Sequence, residues 1–170
     1  MPRLHVCSLA LIDAIVEETG ARTLVTLLSP GTPVTRPAAI TPERHLYLAL
    51  SDIVDPFPGQ VLPDHSHVQT LVDFVAAWDR AEPLLIHCFA GVSRSTAAAF
   101  ISACALAPER DEMHFAKALR AASPTATPNA RLVALADGLL GRKGRMNAAV
   151  ASIGRGVDCY EGEPFALELT

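Results

Sequence analysis

The chain has 170 residues, 50% of them hydrophobic and 19% charged. That length suits a single domain, and the apolar content excludes a disordered chain. A formal net charge of −4 excludes the basic stripe a nucleic-acid-binding protein needs. The 28 alanines and only nine aromatic residues predict many helices on an aliphatic core. Arginine outnumbers lysine twelve to two, which reads as genome composition of the GC-rich bacterial kind.

Residues 4–9 (LHVCSL) form a short apolar run that predicts a buried strand. Residues 10–19 carry apolar positions at helical spacing and stop at Gly20, a helix C-cap signal. Residues 23–28 (TLVTLL) predict a second strand and 45–50 (HLYLAL) a third, separated by a proline-rich loop. A second proline-rich loop, 51–63, precedes Asp64, which caps a helix over about 65–80 with Val68, Leu71, Val72, Val75 and Trp78 on one face. PLLIHC at 83–88 is a near-continuous apolar run, as in a central parallel strand. Helices follow at 94–107 and 110–122, and Asn129 is read as the N-cap of a last helix from 130 to about 141 or beyond, rather than as part of a site. Strands alternating with helices predict an α/β fold, a mostly parallel sheet of four to five strands flanked by helices. The expected organisation is one domain over 1–153 and a surface tail over 154–170.

Cys7, Cys88, Cys104 and Cys159 show neither a Cys-x-x-Cys pair nor zinc spacing, so they read as reduced thiols. His65 and His67 lie two apart on a helix and point away from each other, so no metal site is expected there. No apolar run approaches the ~20 residues of a membrane helix, and no signal-peptide pattern follows Arg3. A cytoplasmic protein without membrane attachment is expected. The basic cluster Gly141–Arg145 is expected to be solvated surface.

The chemistry is concentrated in His87-Cys88-Phe89-Ala90-Gly91-Val92-Ser93-Arg94-Ser95. A buried strand delivers Cys88 at its C-terminal end, and a helix begins a few residues later. The intervening backbone N–H groups lack helical partners and converge as an anion site. Gly91 permits a backbone conformation closed to other residues. Arg94 adds a planar fork able to grip two phosphate oxygens. The same positive field favours a thiolate at Cys88, a nucleophile facing a cradled phosphate.

Residues 87–95 match every fixed position of H-C-x-x-G-x-x-R-[S/T], and the chain here resembles the cysteine-dependent protein tyrosine phosphatase superfamily. Its size and mid-chain loop resemble the dual-specificity branch, in a bacterial form. The resemblance extends to Asp52 and to Pro128-Asn129. It implies phosphomonoester hydrolysis through a cysteinyl-phosphate, with no metal or other cofactor. Cys88 would be the nucleophile. Arg94 and the backbone of Phe89, Ala90, Gly91, Val92 and Ser93 would hold the phosphate. Ser95 would assist the leaving thiolate, and His87 would brace the loop from behind. Asp52 is the expected general acid, with Asp55 as its rival. The variable loop positions carry no charge, whereas relatives that hydrolyse inositol phospholipids often carry lysines there. A singly phosphorylated protein or small phosphomonoester is therefore the expected partner. A catalytically silent phosphate-recognition module and a thiol-based sulfur-transfer or oxyanion enzyme are the competing readings. Cys104 lies about ten residues along a helix from the loop, too far for a disulfide with Cys88; Cys7 stays open as a redox partner.

Overall fold

The computed structural model describes residues 3–170. In chain order the elements are β1 (Arg3–Cys7), α1 (Ile12–Thr19), β2 (Thr23–Leu28), β3 (His45–Ala49), α2 (His65–Ala76), β4 (Leu84–His87), α3 (Arg94–Leu106), α4 (Glu112–Ala122), α5 (Ala130–Leu139), α6 (Arg145–Ile153) and β5 (Phe165–Glu168). The five strands form one sheet in the order β3-β2-β4-β1-β5. The first four are mutually parallel, and β5 lies antiparallel to β1.

β4 is central and buried at all four positions. Its residues alternate between two cores, as a strand's period of two requires. Leu84 and Ile86 face the larger core, which packs against α2 to α6, and Leu85 faces the smaller core under α1. Both faces are covered, which explains the unbroken apolar run of this strand. α3 runs through the larger core with twelve of its thirteen residues buried. Its alanines are what allow so close an approach to the sheet and to neighbouring helices.

Local capping follows the sequence. Gly20 ends α1 in the left-handed region at φ 72°, where a residue without Cβ costs least. Asp64 caps α2 in a reciprocal box: its side chain accepts from His67 N, and His67 Nδ1 accepts from Asp64 N. His67 is thus committed to the helix start.

Four expectations are corrected. The last helix, expected from 130 to about 141 or beyond, is two: α5 ends at Leu139, the chain turns through Gly141 and Gly144 at positive φ, and α6 follows. α2 stops at Ala76, not near residue 80. Trp78 is still buried, but beyond the helix, with its Nε1–H donating to Glu82 O at 3.1 Å. The basic cluster is not solvated throughout. Arg142 is buried between α5 and α6, donating to Glu112 Oε1 at 2.9 Å and Cys104 O at 2.8 Å, and Asp137 accepts from Gly144 N and Met146 N to start α6. The tail, finally, is not a surface arm over its whole length. Phe165, Leu167 and Leu169 are buried in the core, and β5 adds an edge strand to the sheet. Alternating apolar residues (FALEL) carried that signal on a short segment of a tail that also holds four acids.

Candidate active site

Four parallel strands end on the same sheet edge, the side where open α/β sheets bind ligands. β1 leads there to Ser8, β2 to Ser29, β3 to Leu50 and Asp52, and β4 to Cys88. Residues 88–93 loop from β4 into the first turn of α3.

The carbonyls of that loop are drawn outward by backbone donors from three other segments. Leu9 N donates to Phe89 O at 3.1 Å, Gly162 N to Ala90 O at 2.8 Å, Thr127 N to Val92 O at 2.9 Å and Asn129 N to Ser93 O at 3.2 Å. A planar trans peptide points its C=O and the next N–H in opposite directions. Turning these four carbonyls outward therefore turns the N–H groups of residues 90, 91, 93 and 94 inward, a nest for an anion. Gly91 N bears this out by donating to Cys88 Sγ at 3.3 Å. Gly91 itself has φ 73°, and a Cβ there would stand 2.9 Å from Cys7 C and 3.0 Å from Ser8 N. Both conformation and space demand glycine.

Cys88 lies at the base of this nest, with Ser95 Oγ 3.1 Å from its sulfur. Arg94 is buried at the helix start. Its Nη1–H donates to Leu50 O at 3.0 Å and Ser29 Oγ at 3.2 Å, while Nε is buried without a partner. A buried donor left unsatisfied is costly, so the guanidinium is aimed at a group that binds there: an oxyanion fits.

His87 lies behind the loop, fully buried. Its Nδ1 is 3.0 Å from Cys88 O, so that nitrogen donates. Nε2 then accepts from the Thr26 hydroxyl at 2.7 Å, and Thr26 Oγ1 in turn accepts from His45 Nε2 at 2.8 Å. Burial pushes His87 down to about 4, so the chain is built from neutral rings.

Asp52 reaches the shoulder of the loop, where its Oδ1 accepts from Ser93 Oγ at 2.7 Å and Asn129 Nδ2 at 2.9 Å. Asn129 thereby does two things. It caps α5 through Oδ1, accepting from Leu132 N at 3.1 Å, and it ties Asp52 to the loop, a site role that the capping reading left out. Asp55 lies three residues on, along the rim of the same groove.

Several contributors carry no local signal in the sequence. Thr26 and His45 belong to other strands, Ser29 follows β2, and Glu161 and Gly162 come from the tail. Glu161 bonds Ser8 Oγ across the sheet edge. Cys7 is buried on β1 in register with His87. Burial, the nearby Cys88 and Glu161 push its thiol up to about 12. Among the described residues no group of three or more metal-ligating side chains occurs.

No protein-family profile matches the sequence, and no curated protein matches it either. Solved structures do. DUSP15 superposes with a TM-score of 0.63 at 16% identity, covering 88% of this chain and 89% of its own. Human DUSP28 gives 0.61 at 17%, covering 82% and 89%. The PTP-2 phosphatase of Cydia pomonella gives 0.61 at 20%, covering 79% and 84%. The fold is that of the tyrosine and dual-specificity phosphatases. Among these neighbours the dual-specificity enzymes are the recurrent likeness, as the size and mid-chain loop imply.

Proposed function

We propose that the protein is a phosphomonoester hydrolase of the tyrosine or dual-specificity phosphatase type, acting through a cysteinyl-phosphate. The buried, unpartnered Nε–H of Arg94 beside a nest of inward amides carries this reading. Such a cradle matches the tetrahedral oxygens of a phosphoryl group, and its donors are in place before charge develops.

In this reading Cys88 Sγ attacks phosphorus and the bond to the substrate oxygen breaks. Asp52 gives that oxygen its proton. The amides of residues 89–94 and the Arg94 guanidinium hold the equatorial oxygens throughout. Asp52, now a base, takes a proton from water, and the water oxygen attacks phosphorus. The P–S bond breaks, and Ser95 Oγ–H donates to the departing thiolate. His87 keeps the Cys88 carbonyl turned away from the nest, with Thr26 and His45 fixing its tautomer. The chemistry asks for no metal and for a reduced thiol, which suits a cytoplasmic setting. Among the described residues, no helix is long and apolar enough to cross a membrane.

The test is turnover of p-nitrophenyl phosphate in chelator, with orthovanadate as inhibitor. Hydrolysis blocked by vanadate, and abolished in Cys88→Ser with oxyanion binding retained, is the expected result. A wild-type protein that binds phosphate without turning it over would instead be a recognition module. Near wild-type turnover by Cys88→Ser would refute the cysteine mechanism.

A further inference from the structure

Exposed large apolar side chains gather around the phosphate loop. Seven are exposed among the described residues, and five of them (Val54, Phe57, Phe89, Val157 and Tyr160) border its two shoulders. On one side a groove of about 690 Å³ touches the loop at Val92 and Ser93. Its walls are Val54 and Phe57 from the loop after β3, and Val157 from the tail. On the other side a cleft of about 390 Å³ touches the loop at Phe89 and Ala90, bounded by Leu9 and Tyr160. Phe57 and Val157 are 64% and 66% exposed, more apolar surface than the fold itself needs to leave in water at one place.

Apart from one ion pair, the charges at these two surfaces are all negative. Asp52, Asp55 and Asp158 line the groove, and Glu161 lines the cleft. The one cation among the lining residues, Arg155, is already paired with Asp158 at 2.6 Å.

Resting on the phosphatase reading and a phosphorylated polypeptide as its substrate, we propose that the groove and the cleft select the residues on either side of the phosphorylated one. Apolar side chains on either side of the phosphorylated residue seat in the groove and in the cleft. The nucleophile lies between the two surfaces, and a chain advancing about 3.3 Å per residue reaches both within a few positions. A small phosphomonoester fills only the nest and leaves both apolar faces wet. Phosphoinositide headgroups and acidic phosphopeptides bring extra negative charge against a rim whose charges outside that ion pair are carboxylates. A membrane surface rich in anionic lipid meets the same repulsion.

The test compares kcat/KM for p-nitrophenyl phosphate, for singly phosphorylated tyrosyl peptides flanked by leucine, alanine or glutamate, and for a phosphoinositide in phosphatidylcholine vesicles. Leucine-flanked peptides should exceed glutamate-flanked ones about tenfold or more, mainly through KM, as expected for one well-buried aliphatic side chain. Phe57→Ala and Val157→Asp should each remove most of that preference on one side of the phosphotyrosine, and Tyr160→Ala on the other. All three should leave p-nitrophenyl phosphate turnover unchanged. Equal rates across the peptide set, preferences untouched by the three variants, or faster turnover of the vesicle substrate would overturn the proposal. Absence of any p-nitrophenyl phosphate turnover would instead sink the phosphatase reading beneath it.

Discussion

Asp52 and Asp55 are three residues apart on one loop, and the difference between them is one of tethering. Ser93 and Asn129 both donate to Asp52 Oδ1, which holds that carboxyl at the shoulder of the phosphate loop. A positioned acid contributes roughly 10²–10⁴ in rate. Asp52→Asn should therefore slow phosphotyrosine by that order and flatten the basic limb of the pH–rate profile. Nitrophenolate leaves readily and should suffer less. Asp55→Asn should leave both nearly intact, and the reverse pattern would transfer the role to Asp55. Asn129 is separable from its capping function. Asn129→Asp keeps an acceptor for Leu132 N but replaces the donor to Asp52 with a like charge. The basic limb should move to higher pH with little change in stability, because a second carboxylate holds the Asp52 proton more firmly. An unmoved limb would leave Asn129 as a cap alone. Ser95→Ala should slow breakdown of the cysteinyl-phosphate more than its formation, seen as a burst of nitrophenol on rapid mixing.

Elements far apart in the chain share the work of shaping the phosphate loop. The tail contributes through Gly162, whose N–H holds the Ala90 carbonyl outward. A Cβ on Gly162 would stand 2.9 Å from Gly91 O, closer than unbonded atoms tolerate, and backbone would have to move. Gly162→Ala should therefore weaken vanadate inhibition and lower kcat/KM by up to about 10²–10³, the order lost with one well-placed donor. Gly138→Ala in α5 is the matched control, since a Cβ there meets nothing within 4 Å. It should keep full activity and gain up to about 1 kcal/mol, as for an alanine in a helix interior. The α4–α6 junction makes a different demand. Glu112 is buried and ion-paired with Arg142 and Arg145. Arg142→Met should cost up to about 3 kcal/mol in chemical denaturation, because it leaves the buried carboxylate with Arg145 as its one cation. Folded protein should keep its activity, since the clamp lies away from the loop.

For the whole molecule, acid should be harmful through its buried histidines. Burial lowers His87 to about 4 from an ordinary 6.5, and His5 and His45 are lowered too, chiefly by burial. Unfolding lets these rings take up protons that the folded state refuses. Stability is thus fully present above about pH 6.5 and is lost as pH falls toward 4. A shift of this size at His87 corresponds to about 3 kcal/mol. The thermal midpoint should fall steeply across that window, and a shape-conserving His87→Gln should flatten the fall even if its own midpoint is lower. A midpoint independent of pH between 6.5 and 4 would show that His87 titrates normally.

Much of this architecture was legible along the chain. Periodicity placed β2 and the heart of α1 to α5 but not α6 as a helix of its own, and Gly20, Asp64 and Asn129 marked ends through bonds that reach only a few residues. The Cys88–Ser95 loop was equally legible, because all its fixed residues sit within one turn between a strand and a helix. Helix ends at Ala76 and Leu139 were not, because the next side chains found tertiary partners: Trp78 at Glu82 O, and Arg142 at Glu112. The tail was misjudged for a related reason: four residues of alternating pattern become a strand only when β1 offers an open edge to pair with. By itself the sequence determined the α/β class, the cysteine and the arginine of the proposed site and the loop that joins them, since each depends on neighbours close in the chain. The tertiary structure decided which donors turn the loop's carbonyls outward, which side chain holds Asp52, and which tail residues wall the groove. Those choices join residues as far apart as Ser8 and Glu161, and no local pattern records a contact that exists only after the sheet has closed.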